Sequence, residues 1–126
     1  MKFEKNFGSE VLKVVITSDG IFFVDEFDDV KHSITDYHEQ DCCESVYAHY
    51  PIHSDLQSEL CRGFVIETVA DSGFRFGIKP YSYSPPVWEF VPCYNEQNGY
   101  YSNDLILKLD GKKILDITNC VLDKIY

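Results

Sequence analysis

The chain lacks a long hydrophobic run. Nothing in its 126 residues approaches the roughly 18–20 apolar residues of a membrane-spanning helix. The opening Met1-Lys2-Phe3-Glu4-Lys5 has no signal-peptide core either, so the expected location is the cytoplasm, with no membrane partner. Basic residues are scarce: eleven Lys and Arg stand against 21 Asp and Glu, a formal charge of −10. A surface of that sign repels phosphate backbones, so direct nucleic-acid binding is not expected. Five cysteines are an odd number and cannot form a complete disulfide framework. In a reducing compartment they are expected to be thiols, metal ligands or small core residues. Repeats, linkers and low-complexity segments are missing as well.

What is present suffices for one domain spanning residues 1–126. Hydrophobic residues make up 44% and aromatics 15%, enough to bury a core without covalent help. The charge is unevenly spread. Residues 1–60 hold thirteen carboxylates against four lysines, whereas residues 61–126 hold eight against seven basic residues. An acidic surface of this kind steers basic partners toward it at low salt and also keeps a protein soluble.

Turn signals divide the chain into short strands. Glu10 to Thr17 is rich in β-branched residues and reaches Ile21-Phe22-Phe23-Val24 through Ser18-Asp19-Gly20, a hairpin signal. Val30 to Tyr37 alternates more weakly, and Glu44 to Tyr50 suits a strand or a helical turn. Ser54 is placed as the N-cap of a short helix over Asp55 to Leu60, with Leu56 and Leu60 on one face and Gly63 beyond its end. Phe64 to Val69 and Phe74 to Ile78 flank Asp71-Ser72-Gly73, with Phe74, Phe76 and Ile78 inward and Arg75 outward. The prolines make Lys79 to Pro86 a loop. Trp88 to Tyr94 resumes a strand, with Trp88 and Phe90 on one face, taken as the core side. Pro92 marks that strand as an edge or a bulge. Leu105, Leu107 and Leu109 alternate before Asp110-Gly111, Lys112 to Ile117 follows, and Val121-Leu122 caps the sheet. The expected fold is α+β and mainly antiparallel β, a sandwich or partly open barrel of about eight short strands with one short helix.

The densest chemistry lies between His38 and His53. Adjacent Cys42 and Cys43 share this stretch with His38, His49 and His53 and with Glu39, Asp41 and Glu44. Zinc is the cofactor such ligands would suit, because thiolates and imidazoles are its preferred donors and a closed site needs about four of them. The candidate ligands are His38, Cys42, Cys43 and His49, with His53, Cys61 or Cys93 able to substitute. Two features oppose zinc: the Cys-x2-Cys knuckle is missing, and adjacent cysteines on a strand point to opposite faces. A cysteine nucleophile is disfavoured because Asp41 and Glu44 would raise a neighbouring thiol's pKa. Asp25-Glu26-Phe27-Asp28-Asp29 lacks the spacing and glycine of a calcium loop and reads as a solvated, edge-blunting charge run.

Asp41-Cys42-Cys43-Glu44, together with Tyr94-Asn95-Glu96-Gln97-Asn98-Gly99-Tyr100-Tyr101-Ser102 before a final hairpin, resembles a family of small uncharacterised domains from phages, prophages and their hosts. The resemblance covers roughly residues 10–118, and only the two motifs are specific. It implies a compact mainly-β fold in a mobile-element setting and no chemistry. By association, it brings in the class of defence inhibitors that includes anti-CRISPR proteins. The expected function is a non-catalytic acidic protein that occupies the positive surface of a basic host protein, such as a CRISPR effector nuclease. The expected contact residues are Asp25, Glu26, Asp28, Asp29, Asp36, Glu39, Asp41 and Glu44. The alternative is a metal-stabilised domain for a small molecule or nucleotide signal, which requires Arg62, Arg75 and Lys79 to converge.

Overall fold

The computed structural model describes residues 1–39, 45–82, 84–96 and 104–124. Strand β1 (Lys2–Asn6) precedes β2 (Leu12–Thr17), β3 (Gly20–Val24) and β4 (Val30–Tyr37). Then come β5 (Ser45–Ala48), β6 (Leu60–Val69), β7 (Gly73–Pro80) and β8 (Val87–Glu96). The chain closes with β9 (Ile106–Leu109), β10 (Lys112–Asp116) and β11 (Leu122–Lys124). They form one sheet in the order β10-β9-β4-β3-β2-β6-β7-β8-β11, with β1 alongside β6 and β5 alongside β8. Every pairing is antiparallel except β11 with β8. The sheet curls, bringing β1 toward β10 and β5 toward β4 without pairing them. The mainly antiparallel expectation therefore holds, with eleven strands among the described residues in an open, curled sheet.

Alternation fills the inside of the curl. Leu12, Val14 and Ile16 point inward from β2, Phe74, Phe76 and Ile78 from β7, and Leu105 and Leu107 from the β9 region, all buried. Phe23 stacks on Phe64 at 5.1 Å between centroids, and Phe7 meets Phe23 edge-on at 5.1 Å. Burying each such side chain contributes about 1.5–3 kcal/mol. The tight β9–β10 hairpin depends on Asp110 (φ +53°) and Gly111 (φ +83°), two positive angles in succession that an Asp-Gly pair tolerates.

Two expectations fail. Asp55 to Leu60 is not a helix but a pair of turns, in which Gln57 N–H donates to the Ser54 carbonyl and Glu59 N–H to that of Leu56. Ser54 still acts as a local cap, its buried hydroxyl accepting from Leu56 N–H at 3.0 Å. The helix loses because so short a segment gains little from helical bonding alone, and Gln57 has better partners elsewhere. Its Oε1 accepts from Ile16 N–H at 2.8 Å while its Nε2 donates to the Ile16 carbonyl at 2.6 Å. Among the described residues the only helical turn is a 3-10 turn at Thr118–Cys120.

Trp88 and Phe90 do share a face, but it is the outer one. The inward positions of β8 are Val91, Cys93 and Asn95, and Phe90 is 43% exposed. Trp88 lies across Gly77, where a Cβ would come within 2.8 Å of the indole. The Arg75 guanidinium covers the ring at 4.0 Å from its centroid. Gly77 leaves a slot on an otherwise occupied sheet, and the indole fills it.

Candidate functional site

The five-residue connection between β3 and β4 carries four of the expected contact acids. Asp25 organises it. Its Oδ1 accepts from Phe27 N–H at 2.9 Å and from Asp29 N–H at 3.0 Å, while the backbones of Asp25 and Asp29 bond at 3.0 Å. Desolvation opposes ionisation of this carboxyl, but the two N–H donors and Lys31 outweigh it and hold its pKa below the usual value. Lys31 lies 3.7 Å from Asp25, and Lys13 lies 3.1 Å from Asp28. Two of the four charges are thus locally balanced. Glu26 and Asp29 are exposed and form no ion pair among the described residues. Asp28 sits at φ +63°, an angle that Asp tolerates better than most residues. Phe27, next to it, is 76% exposed. Phe27 was absent from the expected contacts; its signal was a lone aromatic among four acids with no alternating apolar neighbour.

The remaining acids separate. Glu39 is exposed beyond β4, and Asp41 and Glu44 lie outside the described residues. Asp36 was expected on the contact surface, but its carboxylate faces the interior. It accepts from Ala48 N–H at 2.9 Å and from the Tyr50 hydroxyl at 2.8 Å, joining β4 to the β5 region. Burial, with the Asp36 charge beside it, pushes the Tyr50 phenol far above its ordinary pKa, so it remains a donor. Asp36 is a structural acid.

The zinc candidates are only partly described. Cys42 and Cys43, with most of the second resembling motif, lie outside the described residues. His38 Nδ1 donates to the Asp104 carbonyl. His49 is exposed and meets Tyr94 edge-on at 6.5 Å, and His53 is exposed in the turn after Pro51. Among the described residues no three His, Cys, Asp or Glu side chains gather as a metal group. Cys61 and Cys93 are buried at 0% exposure on β6 and β8. Burial pushes the Cys61 thiol up to about 12. Burial, then Asp36 and Cys120, raise that of Cys93. Both are buried as small core residues.

The three basic residues converge only in part. Arg62 and Lys79 line one cavity of about 340 Å³ with Asn6, Gly8, Ser84 and Pro86. Within it Lys79 donates to Glu4 at 2.7 Å and to Asn6 at 2.7 Å. Arg75 lies elsewhere, paired with Glu67 and stacked on Trp88. Compared with family models, with curated proteins and with solved structures, the chain matches none.

Proposed function

We propose that the chain is a non-catalytic binding protein whose acidic face engages a basic partner. The observation that carries this reading is the β3–β4 connection. It is braced by Asp25 and presents the carboxylates of Glu26 and Asp29 without local counter-ions among the described residues. Preorganised charge of this kind raises association rates and selects for complementary surfaces. The phage setting implied by the resemblance makes a nucleic-acid-binding host nuclease, including a CRISPR effector, the first partner to try. On such a partner the face would compete with nucleic acid for positive surface. Pull-down from host lysate at low and moderate salt tests the idea. The expected result is retention of a basic protein at low salt that weakens with salt and is lost on Glu26→Lys with Asp29→Lys. Retention of no basic protein, or retention indifferent to those reversals, overturns it.

A second reading is supported by Arg62 and Lys79 lining one cavity: a site for a small anionic ligand such as a nucleotide signal. Lys79 is already shared by Glu4 and Asn6, so an anion would have to displace a carboxylate. Isothermal titration with cyclic nucleotides distinguishes the two, with heat expected only under the second.

A further inference from the structure

Beside the acidic connection the outer face of the sheet is apolar. Leu60, Lys13 and Val24 stand side by side across β6, β2 and β3, because Lys13 pairs with Leu60 on one flank and Val24 on the other. Val30 continues the row by pairing with Val24. Leu60 is 51% exposed and Val30 58% exposed. A cavity of about 280 Å³ opens here, walled by Val11, Val24, Leu60 and the stem of Lys13, with Asp25 and Glu26 on its rim. Phe27 follows Glu26 directly and is more exposed than any other buried-prone side chain among the described residues. Scattered exposed apolar residues are ordinary on a monomer. A concavity walled by Val11, Val24 and Leu60 with carboxylates on its rim is not.

We infer that this corner docks a partner segment in which basic side chains alternate with aliphatic ones. The inference rests on the proposed function and names the partner's surface more closely. The aliphatic group enters the cavity formed by Val11, Val24 and Leu60, and Phe27 packs over it. The basic groups meet Glu26 and Asp29. Lys13 does not oppose them, because its ammonium is held by Asp28 at 3.1 Å. The occupant follows from charge complementarity. A second copy of this chain brings another −10 and the same acidic rim, whereas an alternating basic segment satisfies both the rim and the cavity. Desolvated aromatic anchors supply most of an interface's affinity, and rim charges supply rate and selectivity.

The test uses two fluorescent peptides of equal length and charge, one alternating arginine with leucine and one alternating arginine with serine. Their affinities are measured by anisotropy against the full chain. The Arg-Leu peptide is expected to bind about tenfold more tightly, a difference of about 1.4 kcal/mol. Phe27→Ala and, separately, Leu60→Glu should abolish that preference. Both sites are exposed, so each variant is expected to fold, with circular dichroism as the check. Equal binding of the two peptides, unaffected by Phe27→Ala, overturns the apolar docking site while the acidic-face reading survives. Binding of neither peptide overturns both. A concentration-dependent dimer dissolved by Phe27→Ala would assign the face to a second copy and also overturn the inference.

Discussion

Asp25 and Asp36 lie eleven positions apart in the same acidic half, and their carboxylates do opposite work. Asp25 binds the backbone of its own connection, so both bonds span at most four residues. Asp36 binds groups twelve and fourteen residues away, joining strands that do not pair with each other. The first shapes a surface and the second closes a fold. Net charge counts them alike, but only one belongs to the face a partner could meet.

The inward carboxylate carries the largest expected effect. Asp36→Ala leaves Ala48 N–H and the Tyr50 hydroxyl without their acceptor and is expected to cost about 2–3 kcal/mol in urea unfolding. An unchanged midpoint would remove the distinction. Tyr50→Phe deletes one of the two bonds and keeps the ring, for an expected loss of about 1 kcal/mol by the same measurement.

Acid titration sharpens the surface end. The folded pKa of Asp25 is depressed by backbone donors and Lys31, and that of Asp116 by the Thr118 hydroxyl and N–H. Depressed carboxyls contribute stability that is fully present above their ordinary value of 3.8 and is lost as pH falls through the lower folded value. The melting temperature should therefore fall below that pH, and Asp25→Asn with Asp116→Asn should flatten the slope. A slope unchanged in the double variant would locate the acid sensitivity elsewhere. Phe27→Ala marks the smallest effect on stability, within about 0.5 kcal/mol, because its ring is exposed. A larger loss would mean that the aromatic holds the connection together and does not serve as a free anchor.

Much of the sheet was legible because its turns carry their own chemistry. Asp19-Gly20, Asp71 to Gly73 and Asp110-Gly111 each join the strands expected on either side. β1 and β11 were harder to see: Lys2-Phe3-Glu4-Lys5-Asn6 has a single apolar side chain, and Leu122–Lys124 is only three residues long. Each is placed by the neighbour that receives it, β6 or β8. Trp88 misled because alternation shows which residues share a face but not which face is inner, whereas the slot above Gly77 depends on the register between β7 and β8. The candidate site divided in the same way. A run of acids on a loop is visible in the sequence. That Asp36 turns inward depends on Ala48 and Tyr50 reaching it through the fold, which alternation along β4 could not reveal.

The Gln57 side chain has a consequence beyond its own turn. Past Lys13, Val14 bonds the backbones of Ser58 and Glu59, and the flank of β2 that faces β6 has no further strand partner among the described residues for the N–H and carbonyl of Ile16. A row of open ladder groups is a template on which another chain can assemble. Gln57 occupies both groups of Ile16, as a strand residue would, and stops there, since a side chain has no next residue to extend the ladder. The connection that failed to become a helix thus completes the hydrogen bonding of β2 where β6 leaves off.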